Sequence, residues 1–324
     1  MANKAVAFID LLGFSSCVQR DVDEAVLMLS YFNSVLQELN FERAVHPSKT
    51  YDNSLQSLAR RNSNESFEHF LPFSDSVFVA SSNCSDFILQ LGSFVRKAFL
   101  FNAYKFAHPI KESDPLISQQ IEFDLSNLND VITHRVPMRE PVILFRGGIA
   151  YGNVIETKPD GLFANQLISC NNMMGEAMVR AVRMEESKIK GPRILFDNSV
   201  YEKLNSDAKI YCRVVPEDTE LFEILWPALG FILENRDSFT QEMNHFYEIF
   251  TPAYNLWKYW RDNEHVSVHY ERFLELTVAS VIQIYKYMGE EDFITDTIKG
   301  VLNKNFNASD INRIFNHKRN LGFK

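Results

Sequence analysis

The chain has 324 residues, 46% of them hydrophobic and 27 of them Phe, which is enough apolar material for a large core and leaves room for two structural units. Its formal charge of −9 argues against a general nucleic-acid binder, though not against one small anionic substrate held in a local pocket. No apolar run reaches the ~18 residues of a membrane span, and the N-terminus lacks the basic, apolar and cleavage regions of a signal peptide, so a cytoplasmic protein is expected. Cys17, Cys84, Cys170 and Cys212 are scattered with no CxxC pair, which fits reduced thiols better than disulfides or zinc. His265 and His269 share a helical spacing but have no third ligand nearby, and they read as surface histidines.

In chain order, residues 4–12 predict a strand buried on both faces. Asp10 stands alone in it, and a lone buried carboxylate costs several kcal/mol unless something pairs with it. A helix follows, with Asp21 as N-cap and Glu24 completing a capping box. Its apolar stripe is Ala25, Leu29, Phe32, Leu36 and Leu39. Residues 43–66 are polar and read as a loop. "FEHFLPFSDSVFVASS" reads as two strands joined by a tight turn at Pro72–Asp75, and Ser85 is expected to cap a long helix ending near Ala107.

Residues 108–140 carry prolines and no clean period, and are expected to form an inserted loop. "PVILFRGGIAYGNVIE" reads as strand–turn–strand, and a helix is expected over 173–188. A short strand, a short helix and two late strands run to Trp226. Beyond Pro227 the pattern becomes amphipathic helix, so a boundary is placed near 227–236. The division is 1–226 as a mixed unit and 227–324 as a C-terminal helical unit.

Asp75, in the hairpin turn, poses the same question as Asp10. Two carboxylates at neighbouring strand ends repel unless a cation lies between them, and such a pair is a donor set for two-metal phosphoryl transfer. The order of motifs then matters. Phe8-Ile9-Asp10-Leu11-Leu12-Gly13-Phe14-Ser15 is followed by Ser74-Asp75, then Arg146-Gly147-Gly148-Ile149 with Gly152, then "MMGEAMVRAVRMEES" and "GPRILFDNSVYEKL".

This series resembles the catalytic domain of class III nucleotide cyclases over residues 4–226. The resemblance implies an α+β fold: a ferredoxin-like antiparallel sheet with helices, plus the C-terminal helices. It implies that Asp10 and Asp75 bind two Mg²⁺ or Mn²⁺ ions, with a backbone carbonyl of Ile9 or Leu11. It implies that the amides of Leu12, Gly13 and Phe14, with the Ser15 hydroxyl, cradle phosphate oxygens. Arg183 falls at the position of the family's transition-state arginine, and Val179 at that of its ribose-binding Asn. Arg180 is adjacent but faces elsewhere on a helix. Lys209 and Arg213 are candidates for the triphosphate.

The positions that read a purine in the family are Leu71 and Asn172 here. Leu71 has no hydrogen bond to offer, whereas Asn172 carries a donor and an acceptor suited to uracil or cytosine. Tyr51 is the candidate to cover the base. With its loops and C-terminal helices, the chain is most similar to the pyrimidine cyclases of the Pycsar anti-phage system. The expected substrate is UTP or CTP and the expected product cyclic UMP or cyclic CMP. The product would act on a separate effector, and the enzyme would be a homodimer with shared sites. The competing readings are a degenerate nucleotide-binding module and an adenylate or guanylate cyclase.

Overall fold

The computed structural model describes residues 2–41, 53–111, 117–125, 130–138, 142–157, 160–163, 166–169, 172–231, 239–289, 298, 300 and 302–315. Strand β1 (Ala2–Leu11) is an interior strand of the main sheet. It pairs antiparallel with β3 (Ser76–Ser81) on one side and with β6 (Phe145–Thr157) on the other. β2 (His69–Phe73) extends the sheet beyond β3. β10 (Ile194–Asp197) joins β6 in parallel, followed by β12 (Asp218–Ile224) and β11 (Cys212–Val215). The short β9 (Asn172–Met174) pairs with the end of β6. This is the expected α+β fold with a largely antiparallel sheet.

Helices α1 (Phe14–Arg20) and α2 (Val22–Phe41) follow β1. Asp21 caps α2 as expected, its Oδ1 accepting from the amides of Asp23 and Glu24. Helix α4 (Cys84–Ala103) starts one residue before Ser85, and its N-cap is Asn83, whose side chain accepts from the Asp86 amide. Between α2 and β2 lies α3 (Asn53–Asn62), a helix within a stretch expected to be loop. Arg61 of α3 reaches into the core, where it donates to the Tyr211 hydroxyl and, at 3.1 Å, to the Phe231 carbonyl.

The 108–140 insertion is also more ordered than expected. β4 (Ile117–Leu125) and β5 (Asp130–Met138) pair in register through nine residues, a separate two-stranded hairpin. A second hairpin is formed by β7 (Asp160–Phe163) and β8 (Gln166–Ser169).

The odd-numbered side chains of β1 point into the main core. Ala5, Ala7 and Ile9 are fully buried, and the core continues through Phe32, Phe94, Phe99 and Phe145. It runs without a break into α8 (Phe239–Trp260) and α9 (Glu264–Tyr287). Phe273 of α9 meets Phe99 edge-on at 4.9 Å and Trp226 at 5.0 Å. The even-numbered side chains of β1 face the other way, and that face holds Asp10.

No helix among the described residues is long and apolar enough to cross a membrane. Cys17, Cys84 and Cys212 are buried free thiols, and burial pushes the Cys17 and Cys84 thiols up to about 11.

Candidate active site

Asp10 is cross-strand neighbour to Ser76 on β3 and to Arg146 on β6. The Ser76 hydroxyl donates to Asp10 Oδ1 at 2.9 Å. Arg146 Nη2 lies 3.5 Å from Asp10 Oδ2, a long ion pair. The Asp10 side chain is 15% exposed, so it is half-sealed but reachable. Burial pushes its carboxyl above the ordinary 3.8, Ser76 opposes this, and the charge of nearby Asp75 adds to it.

The turn that delivers Asp75 has only two residues, Ser74 and Asp75, between β2 and β3. Ser74 takes φ 56°, a left-handed conformation that glycine adopts without strain. Ser74 is the one residue other than glycine that takes a positive φ among the described residues. The turn is tied to β1 by the Leu11 amide, which donates to the Asp75 carbonyl at 3.0 Å.

Ile9 and Leu11 are buried on the core side, so only their backbone carbonyls are candidates to face a cation. The Leu12 amide donates to the Leu144 carbonyl at 2.8 Å, so it does not serve the expected phosphate cradle. Gly13 turns the chain with φ 91° into α1, and Phe14 opens the helix with no side-chain cap. The amides that remain for an anion are those of Gly13 and Phe14, beside the exposed Ser15.

Two carboxylates at one strand end, together with backbone oxygens, form a hard donor set that suits Mg²⁺ or Mn²⁺. Among the described residues no group of three or more His, Cys, Asp and Glu is arranged around a common point. The coordination of such an ion would therefore be completed by carbonyls, water and substrate phosphate, as is usual for Mg²⁺.

No family model and no curated protein matches the chain. Its structure is similar to that of adenylate cyclases from Trypanosoma brucei in their monomeric state, with 11% identity over 70% of this chain and 90% of that chain and a TM-score of 0.37. A second structure of adenylate cyclases from the same organism, also in their monomeric state, gives 11% identity over 68% and 87%, with a TM-score of 0.34. Likeness at this level does not assign an activity.

Helix α5 (Glu176–Glu185) lies across β6 and β1. Gly148 makes this approach possible, because a Cβ there would fall 2.2 Å from the Ala181 carbonyl oxygen. The inner stripe of α5 is Ala177, Ala181 and Glu185. Val179 and Arg183 lie on the opposite, exposed face. Arg183 is thus not brought to Asp10 within one chain. Arg180 is spent on structure: it binds Asp197, the Ser199 hydroxyl at 3.1 Å and the Tyr151 carbonyl at 3.2 Å.

Of the triphosphate candidates, Arg213 Nε donates to the fully buried Glu223 at 2.7 Å and is neutralised there. Lys209 lies on a short helix (Ser206–Ile210) with its ammonium 4.8 Å above the Tyr201 ring. Leu71 packs with Phe78 and Met178 against a small apolar cluster of Val6, Ala80, Val154, Met173 and Ala177. Asn172 opens β9, but its side chain, like all of Tyr51, lies outside the described residues. His269 departs from expectation: it is half-buried, its Nδ1 accepts from the Gly191 amide at 3.1 Å, and burial lowers it to about 4.

The residue that sequence reasoning missed is Glu185. Its Oε1 lies 2.5 Å from Arg146 Nε, and burial raises its carboxyl. The available signal was its spacing, four residues after Ala181 on a stripe of small residues opposite the Gly147–Gly148 pair.

Proposed function

We propose that the chain is a nucleotide cyclase that converts UTP or CTP to the 3′,5′-cyclic nucleotide and pyrophosphate. The observation that carries this reading is the meeting of Asp10 and Asp75 beside the Gly13 turn. An acidic pair next to a backbone anion site is what a metal-bound triphosphate requires.

In this reaction the ribose 3′-oxygen attacks the α-phosphorus. The bond from that phosphorus to the oxygen bridging the β-phosphate breaks, pyrophosphate leaves, and the 3′ proton passes to solvent. Asp10 and Asp75, with a carbonyl of Ile9 or Leu11, would hold the divalent cations. Bound there, Mg²⁺ or Mn²⁺ supplies a lower pKa for the 3′-hydroxyl and offsets charge on the leaving group. The amides of Gly13 and Phe14 and the Ser15 hydroxyl bind phosphate oxygens. Arg183 donates paired hydrogen bonds to the α-phosphate oxygens as their charge grows.

Arg183 faces away from its own carboxylates, which supports a head-to-tail homodimer in which it serves the partner's site. Val179 shares that exposed face, and the cross-strand pair Ile155 and Met174 just before α5 is exposed as well, apolar surface that suits burial against a second copy. Leu71, seated in an apolar cluster, offers the base no polar reader, which favours a pyrimidine held by Asn172. By the same resemblance, the cyclic nucleotide would signal to a separate effector in phage defence, from the cytoplasm. A degenerate nucleotide-binding module is the second reading, favoured by Val179 where a ribose-binding Asn is expected.

Mixing Asp75→Asn chains with Arg183→Ala chains tests the proposal. Each variant alone forms no cyclic nucleotide. After subunit exchange the mixture regains up to one intact site per dimer. A mixture that stays inactive contradicts the shared site, and an Asp75→Asn chain that retains full activity contradicts the cyclase reading.

A further inference from the structure

Arg146 stands between two carboxylates and is shared unequally. Its Nε is 2.5 Å from Glu185 Oε1, whereas its Nη2 is 3.5 Å from Asp10 Oδ2. Glu185 is only 6% exposed, while the arginine is 39% exposed and keeps contact with water. The missing side chain at Gly148 lets the last turn of α5 come this near: a Cβ there would lie 2.9 Å from the Glu185 amide nitrogen. Asp10 and Arg146 are direct cross-strand neighbours, so nothing in the ladder separates them.

A guanidinium so placed is a built-in competitor for any cation that Asp10 and Asp75 would hold. Free of other partners, it would close on Asp10 as a forked, two-hydrogen-bond pair. We infer that Glu185 is a positioning residue that draws Arg146 off Asp10 and so keeps the Asp10–Asp75 pair open to a divalent cation. The inference rests on the metal-site reading above.

Charge alone and tethering can be told apart. Glu185→Gln removes the carboxylate's charge. Glu185→Asp keeps the charge and withdraws it by one methylene, out of reach of Arg146 Nε. Mn²⁺ binding to the nucleotide-free full chain is measured from the electron paramagnetic resonance signal of free Mn²⁺. The parent binds Mn²⁺ and Asp10→Asn does not. Both Glu185 variants bind about tenfold more weakly, and adding Arg146→Gln to either restores the parent affinity. Arg146→Gln alone binds at least as tightly as the parent.

Parent-like affinity in Glu185→Asp would mean that net charge, not position, matters, and would overturn the inference. So would failure of Arg146→Gln to restore binding, or weakened binding in Arg146→Gln alone. Absence of Asp10-dependent Mn²⁺ binding in the parent would instead overturn the metal-site reading, and the inference with it.

Discussion

The Leu11 amide donates to the Asp75 carbonyl at 3.0 Å, fastening the end of the central strand to the neighbouring hairpin turn. This bond uses the backbone of Asp75 and leaves its carboxylate free to face Asp10. Fold and chemistry therefore separate at this residue. Asp75→Asn should keep the melting temperature within about 2 °C of the parent, because a near-isosteric change at a partly exposed turn residue costs little. The same variant should lose at least about 100-fold in turnover, the order expected when a charge acting on the transition state is removed. Thermal melting and product formation on the same preparation check both halves.

Gly148 is needed for packing. A methyl group there would collide with the Ala181 carbonyl at 2.2 Å and with Met184 Cβ at 2.6 Å. Gly148→Ala should destabilise the chain by about 1–3 kcal/mol, the usual range for overpacking against a backbone that cannot yield. Gly152→Ala is the control. Its new Cβ would sit 3.7 Å from Ala177 Cβ, an ordinary contact, and its cost should stay within about 0.5 kcal/mol. Urea denaturation of the two variants side by side gives the comparison.

Asp10 makes the metal-free fold less stable than its neutral form would. Burial first, and the charge of Asp75 after it, raise the Asp10 carboxyl above its ordinary value. An acid whose folded-state pKa exceeds its unfolded one binds its proton more tightly when folded. Its contribution is therefore greatest at low pH and is lost as pH rises through that raised value. In the presence of a chelator, Asp10→Asn should melt above the parent at pH 7, and the difference should shrink toward pH 4. A lower melting point at pH 7 would contradict the raised value. Adding Mn²⁺ should raise the parent's melting point and leave that of Asp10→Asn unchanged.

Asp10 and Asp75 were legible because a carboxylate in an apolar strand demands a partner, and the glycine after Asp10 marks where the chain turns. Helix α2 was legible through its cap and its stripe. The hairpin at 117–138 was not. Gln119, Gln120 and Pro137 break the alternation that would have marked its strands, and its pairing partner lies within the same insertion. The fate of the Leu12 amide was hidden for a similar reason: its acceptor, Leu144, is 132 positions away and no local pattern links them. Glu185 was passed over because one of two adjacent glutamates at a helix end looks like a solvated charge. Only the close approach at Gly148 turns it inward. Arg183 was singled out by its place in the family's motif, and Arg180 set aside by helical phase; in the structure Arg180 is bound to Asp197 and Arg183 is exposed.

The most direct measurement of the central claim uses the purified full chain with Mn²⁺ and, separately, ATP, GTP, CTP and UTP, with products identified by mass spectrometry. The expected product is cyclic UMP or cyclic CMP, formed only when Asp10 and Asp75 are intact. Cyclic AMP or cyclic GMP as the main product would contradict the base assignment at Leu71 and Asn172. No cyclic product from any of the four would contradict the cyclase reading itself.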